Sequence, residues 1–213
     1  MKTGITGGIG SGKSYVCRRL AQRGIEVYDC DAAAKRLMST SAELRRQLTE
    51  LIGPEAYCSG TGTNGTNGAN EVSGEQPPLN KAAVARFLLA SEENARTIDA
   101  IVHPAVFRDF EESGLQWMES AILFQAGAQQ LVDRVVVVTA PEEVRLQRVM
   151  ARDGISREKA LEWIHRQWSQ ERVRQLADIE IVNDGYHDID VQIDRLLSQK
   201  GPMLFKGQAT GQQ

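Results

Sequence analysis

An α/β fold, a parallel sheet with helices on both faces, is predicted by three features of the sequence. The chain opens on a short strand, Lys2-Thr3-Gly4-Ile5-Thr6, that runs into a glycine-rich turn and then into a helix over Ser14 to Arg23 with Val16 and Leu20 on its inner face. Gly24 ends that helix, and Ile25-Glu26-Val27-Tyr28 reads as a second strand leading into Asp29-Cys30-Asp31, which makes a βαβ beginning. Further along, four successive valines within Arg134 to Thr139 form the apolar run of a strand buried on both faces, as central parallel strands are.

After Asp31 the pattern turns helical. Helices are expected over Ala32 to Met38, Ala42 to Ile52, Lys81 to Leu89 behind Asn80 as N-cap, and Glu92 to Val102 behind Ser91, with the His103-Pro104 pair as a junction. So many helices without a strand predict an inserted helical region over 32–114. Its segment 58–78 repeats Gly-Thr-Asn and is too polar to offset its ordering entropy, so a flexible surface loop is expected there. Strand character returns over Gln116 to Phe124. Pro141 then opens a helix to about Arg152, Ser156 caps another to about Trp168, Ile179 to Val182 is a last strand, and Ile189, Ile193, Leu196 and Leu197 line a closing helix. The expected organisation is one domain over 1–200. It comprises a core (1–31, 115–144 and 177–200), the helical insertion, a helical lid over about 145–176, and a flexible tail over 201–213.

Composition narrows the function. With 41% hydrophobic and 25% charged residues among 213, the chain has the make-up of a globular domain able to bury a sizeable core. A formal net charge of -3 argues against a protein that grips nucleic acid through many phosphates. Cys17, Cys30 and Cys58 have neither zinc spacing nor the even count of a disulfide framework, and are expected to be reduced thiols. No apolar run reaches membrane-spanning length and no signal segment precedes the first strand, so a cytoplasmic protein without membrane contact is expected, monomeric or a small homo-oligomer.

Gly7-Gly8-Ile9-Gly10-Ser11-Gly12-Lys13-Ser14 matches G-x-x-x-x-G-K-[ST], a loop whose backbone amides surround phosphates at a helix N-terminus. The strand before it and the helix after it supply the context that the pattern requires. Gly8, Gly10, Ser11, Gly12, Lys13, Ser14 and the adjoining Tyr15 are therefore the candidate nucleotide-binding residues. Lys13 would reach the β and γ phosphates and the Ser14 hydroxyl would ligate Mg²⁺.

Other features choose among the activities that such a loop serves. A guanine-specific protein would carry Asn-Lys-x-Asp, but Asn80-Lys81 continues as Ala82-Ala83. A motor ATPase would end an apolar strand on an acidic residue, yet Val135 to Val138 runs into Thr139 and Ala140. A helical insertion and an arginine-dense late segment suit an acceptor site with a closing lid, which favours an ATP-dependent small-molecule kinase of the P-loop NTPase type. Asp29 and Asp31 lie beyond the second strand, where open α/β sheets hold ligands. Two readings of them stand on spacing alone: a helix N-cap, or a pair in which one carboxylate accepts the acceptor's hydroxyl proton and the other holds Mg²⁺ or a hydroxyl.

Taken in order, Gly4-Ile5-Thr6-Gly7-Gly8-Ile9-Gly10-Ser11-Gly12-Lys13-Ser14, the Asp-x-Asp pair, His103-Pro104, Ile122-Leu123-Phe124, Arg148, Arg152-Asp153-Gly154, Gln167, Ala177-Asp178 and Asn183-Asp184-Gly185 resemble the dephospho-CoA kinase family. The resemblance implies a P-loop core with a helical CoA-binding region and a lid, using ATP and Mg²⁺ to phosphorylate the 3′-hydroxyl of dephospho-CoA. It makes Asp31 the catalytic base and Lys13 part of the phosphate clamp. Arg148 and Arg152 become lid arginines, Asn183 lies near the adenine, and Asp29 and His103 are weaker substrate candidates. Without the resemblance, Arg148 and Arg152 read as a solvated helical stripe. The chain departs from the family's pattern at Tyr15, where threonine is common, at Ala121, where proline is common, and at Gln125, where glutamate is expected; Glu119 is a residue that could take over that glutamate's role. The alternatives are another small-molecule kinase, for a nucleoside, nucleotide or shikimate-like hydroxyl, and a catalytically weak ATP-binding regulator.

Overall fold

In the computed structural model, which describes residues 1–57 and 77–198, five strands form one parallel sheet. They are Thr3–Thr6 (β1), Val27–Asp29 (β2), Trp117–Glu119 (β3), Arg134–Thr139 (β4) and Ile179–Val182 (β5), in the order β2-β3-β1-β4-β5. The opening strand is thus central, with Ile5 in register with Glu119 on one side and with Val136 on the other. The helices are Lys13–Ala21 (α1), Cys30–Thr40 (α2), Ala42–Ile52 (α3), Lys81–Ala90 (α4), Glu92–Ser113 (α5), Glu142–Asp153 (α6), Arg157–His165 (α7), Gln170–Leu176 (α8) and Ile189–Ser198 (α9). No described helix is long and apolar enough to cross a membrane.

The chain divides into two compact units, Met1–Cys30 with Phe110–Gln213, and Asp31–Asp109. In the first, Val136 and Val138 join Ile5, Val16, Leu20, Ile181, Ile193 and Leu196 in a core between the sheet, α1 and α9. Val135 and Val137 point the other way along β4 and are just as buried, as the valine run predicts. Leu146, Val149, Ala160 and Ile164 make a separate small core between α6 and α7. In the second unit, Leu44, Leu48, Ala56, Tyr57, Val84, Ile98 and Val102 are buried. The Tyr57 hydroxyl donates to the Met38 carbonyl at 2.6 Å, and the side-chain oxygens of Ser41 and Asn80 cap α3 and α4 by accepting from Leu44 and Ala83.

Three expectations need correction. The helix expected to stop at Val102 runs on through Pro104 to Ser113, because Ile98, Val102 and Val106 repeat every four residues and keep a buried stripe across the proline. The strand expected over Gln116 to Phe124 ends at Glu119: the Ser120 hydroxyl accepts from the Ile122 amide, and Ala126 and Ala128 bond back to the Ile122 and Leu123 carbonyls. The apolar Ile122-Leu123-Phe124 run is therefore a turn whose Leu123 is fully buried. The helix expected to reach Trp168 stops at His165, and the Ser169 side chain caps a further short helix, α8, by accepting from the Arg172 amide. The segments expected to be a flexible loop and a tail lie outside the described residues, apart from Pro77 and Pro78.

Candidate functional site

The glycine loop leaves β1 at Thr6 and enters α1 at Lys13. Gly7 has φ 149°, and a Cβ there would collide with the Val138 carbonyl of the neighbouring strand. Gly12, the N-cap of α1 at φ 95°, would place a Cβ on the Asn183 carboxamide. Both positions demand glycine for conformation and for space. The Ser11 amide donates to the Gly8 carbonyl at 3.1 Å, and the Tyr15 and Val16 amides turn back to Gly12. The first-turn N–H groups of α1 are thereby presented as a helix N-terminus that favours an anion. Lys13 Nζ donates to the Gly7 carbonyl at 2.8 Å and lies 3.7 Å from Glu119 Oε1.

Side chains from three later segments hold this loop from outside. Arg145, buried on α6, donates from Nε to the Ile9 carbonyl at 2.9 Å. Arg148, half-buried one turn on, reaches the Gly10 and Ser11 carbonyls at 3.4 and 3.3 Å and Asn183 Oδ1 at 3.4 Å. Asn183, at the end of β5, donates from Nδ2 to the Ser11 carbonyl at 2.8 Å. Gln167, between α7 and α8, accepts from the Ile9 amide at 2.7 Å. Arg152 is not part of this set: it is exposed and paired with Asp153 at 2.7 Å, which raises its own pKa and lowers that of the carboxyl. The stripe reading of Arg148 and Arg152 is thus divided by the structure, with Arg148 at the loop and Arg152 in solvent. Arg145 was not singled out from the sequence, although it lies four residues before the apolar Val149 and so on the inner face of the helix.

A cleft of about 660 Å³ opens beside Gly12, lined by Tyr15, Arg148, Asn183, Tyr186, His187 and Asp190. Its size suits a small-molecule ligand. One wall is a turn built on Asp184, which accepts from the Tyr186 and His187 amides at 2.9 and 3.0 Å and pairs with the His187 ring at 2.8 Å. Those backbone donors stabilise the ionised carboxyl and hold its pKa down at about 2. The other wall is fixed by Asp190 at the start of α9, which pairs with Arg19 of α1 and with Arg23 just beyond that helix.

Glu119 is the acidic strand end that the valine run does not supply. It closes β3, the other neighbour of β1, and its register partner on β2 is Asp29. Sequence names Glu119 only as a stand-in for the missing glutamate; that it is the acidic end of a strand beside β1 comes from the topology. Gln125 is exposed on the turn that follows. Cys17, one helical turn beyond Lys13, has its thiol pKa pushed up to about 12, chiefly by burial and then by Glu119, and so stays protonated at neutral pH. Asp31 and His103 belong to the helical unit. Asp31 is exposed in the first turn of α2; His103 is half-buried, 3.6 Å from Asp99 and stacked on Phe107.

The arrangement fits a nucleoside phosphate. The Ser11 hydroxyl is fully buried at the centre of the loop without a hydrogen-bond partner among the described residues, Lys13 is adjacent, and Ser14 is exposed at the helix start. Among the described residues no group of three or more His, Cys, Asp or Glu is placed to hold a metal ion. A divalent cation here would depend on Ser14 and on phosphate and water oxygens, as Mg²⁺ commonly does.

Comparison with known proteins agrees with this geometry. Residues 1–188 match the family model described as dephospho-CoA kinase. A dephospho-CoA kinase from Porphyromonas gingivalis is 39% identical over 204 residues, covering 91% of both chains. A solved protein from Thermus thermophilus superposes with TM-score 0.75 at 31% identity, over 94% of this chain and 98% of its own. The solved dephospho-CoA kinase from Campylobacter jejuni, at 18% identity and TM-score 0.61 over 93% and 96% of the two chains, shares the fold.

The Asp184 turn sets a pH dependence whose sign is fixed. Its folded pKa lies below the unfolded value of about 3.9, so its stabilisation is complete above about pH 4 and is lost as the pH falls towards about 2. Melting temperatures of wild type and Asp184→Asn should differ at about pH 5 and converge as the pH falls below about 4. A gap that does not close on acidification would show that the carboxylate charge contributes nothing to the turn.

Proposed function

The chain belongs to the dephospho-CoA kinase family, and on that premise we propose that it transfers the γ-phosphoryl group of ATP to the 3′-hydroxyl of dephospho-CoA, giving coenzyme A and ADP. The observation that carries this reading is the glycine loop, with Lys13 at its start of helix and Arg148 and Asn183 bonded to its carbonyls, next to a nucleoside-sized cleft. The loop amides and Lys13 bind the phosphates, and the cleft beside Asn183 takes the adenosine. Mg²⁺ on Ser14 would neutralise phosphate charge. The helical unit binds the acceptor. Asp31 takes the hydroxyl proton as the acceptor oxygen bonds to the γ phosphorus, the bond to the ADP oxygen breaks, and ADP leaves. Segment 145–176 serves as the lid. The test is ADP release measured with and without dephospho-CoA: turnover should require the acceptor, and equal release in its absence would sink the proposal.

Asp31 is exposed inside the first turn of α2 and is not its N-cap, and Asp31→Asn keeps the side chain's size, so melting temperature and ATP affinity should change little while kcat falls by on the order of 10² to 10⁴. Retention of most of kcat would move the proton acceptor elsewhere, with Asp29 as first candidate.

The two arginines should separate in kinetics. Arg148→Ala, which removes contacts already made to the loop, should raise the KM for ATP and lower kcat. Arg152→Ala should lower kcat alone, if its side chain leaves Asp153 for the phosphoryl group only on closure. Unchanged kinetics for Arg152→Ala would leave it a surface residue.

The acidic charge beside the phosphates is assigned to Glu119 and not to the Gln125 position, because Glu119 is the one near Lys13. Glu119→Gln should raise the Mg²⁺ concentration needed for half-maximal rate, and Gln125→Glu should leave it in place. The reverse pattern would return the role to position 125.

A further inference from the structure

Ile9, at the tip of the glycine loop, is bound through every group it has. Its amide donates to Gln167 Oε1 at 2.7 Å and its carbonyl accepts from Arg145 Nε at 2.9 Å. Its side chain packs against Leu146, Val149, Ala160 and Ile164, the core between α6 and α7. All three partners come from 145–167, more than 130 residues away along the chain. Within the motif this position accepts any residue, so the pattern itself assigns it no task.

Gln167 is itself held in place from both sides. Upstream, the Arg166 amide bonds to the Glu162 carbonyl and closes α7. Downstream, Ser169 caps α8, the Gln170 side chain accepts from the Ala140 amide at 3.1 Å, and the Arg172 guanidinium lies 3.4 Å over the Trp168 ring. An acceptor fixed this firmly presents its oxygen at little entropic cost. Because the Ile9 amide is occupied, the loop's tip is held still, and the amides that follow towards α1 keep their aim.

We infer that Gln167 is a positioning residue for the nucleotide phosphates, acting by clamping the Ile9 amide and so tying the tip of the phosphate loop to the α6–α7 body. The inference rests on the reading of the loop as the ATP phosphate site and adds a residue that touches neither nucleotide nor acceptor. The lid segment and the loop then share a rigid joint at Ile9, and whatever moves when the site closes moves about that joint. Phosphates bound by the loop should sense Gln167, and an adenosine moiety in the cleft beside Asn183 should not.

The test uses the full chain and compares wild type, Gln167→Ala and Gln167→Met, with affinities for MgADP and AMP measured by competition against a fluorescent adenine nucleotide. Methionine keeps the volume of glutamine but lacks its carboxamide acceptor. Both variants should bind MgADP about three- to tenfold more weakly, the scale of one hydrogen bond, while AMP changes by less than about twofold. Wild-type affinity in Gln167→Met would show that the side chain serves only packing, and equal weakening of AMP would show that it does not act on the phosphates; either overturns the inference. Unchanged MgADP affinity in Gln167→Ala also overturns it. If the alanine variant melts early, the methionine variant decides alone. A wild-type protein that binds MgADP no better than AMP would instead remove the nucleotide-site reading on which the inference stands.

Discussion

A phosphate site made of backbone amides works only if the backbone is kept from relaxing, since a loop that hydrogen-bonds to itself has no donors left for a ligand. Here that constraint is met from outside the loop. The carbonyls of Gly7, Ile9, Gly10 and Ser11 are each occupied by a side chain from Lys13, Arg145, Arg148 or Asn183. With their oxygens taken, the peptide units are oriented; the Ile9 and Ser11 amides are also bonded, to Gln167 and to the Gly8 carbonyl, which fixes the loop around its remaining amides. Three of these four side chains are on α6 or at the end of β5, so the sheet order that places β4 beside β1 and β5 next in line is a precondition for the loop's shape.

The same arrangement explains why the glycines matter in different ways. At Gly7 the neighbour is backbone of β4, which has no freedom to retreat, whereas at Gly12 it is the Asn183 side chain, which is itself bonded to Ser11. A Cβ at either position would therefore disturb the frame and not only the local φ. The buried hydroxyl of Ser11 fits this picture: burying it without a partner is costly, and a phosphate oxygen in the cradle is a natural acceptor for it.

Most of the architecture was legible in the sequence because its signals are local. The valine run, the caps at Asn80 and Ser91, and the strand-glycine-helix opening each depend on residues close together, and each appears where local pattern places it. What was not legible depended on contacts distant in sequence. Pro104 looked like a stop, but a stripe of buried residues on both sides of it outweighs one lost hydrogen bond. Glu119 is named from the sequence only as a stand-in for the glutamate missing at position 125, and placing it beside Lys13 needs the knowledge that its three-residue strand β3 lies next to β1. Arg148 and Arg152 share a helical face on paper, yet α6 ends at Asp153, which gives Arg152 a partner of its own and leaves only Arg148 to the loop.

Charge placement gives the site its direction. Lys13 is positioned against the Gly7 carbonyl and near Glu119, so its ammonium is held where it belongs before any ligand arrives, at the cost of an acidic group close by. A carboxylate this close to the loop repels phosphate by its own charge, and the Lys13 ammonium beside it offsets that repulsion. On the other side of the loop, Arg145 and Arg148 supply positive charge with their donors already turned onto backbone carbonyls. The loop is thus framed by arginines that orient it and by an acid paired with its lysine. Among the described residues the protein assembles no cluster of three or more acidic, His or Cys side chains to hold a metal, so the charge at the loop is set by Lys13, the two arginines and Glu119.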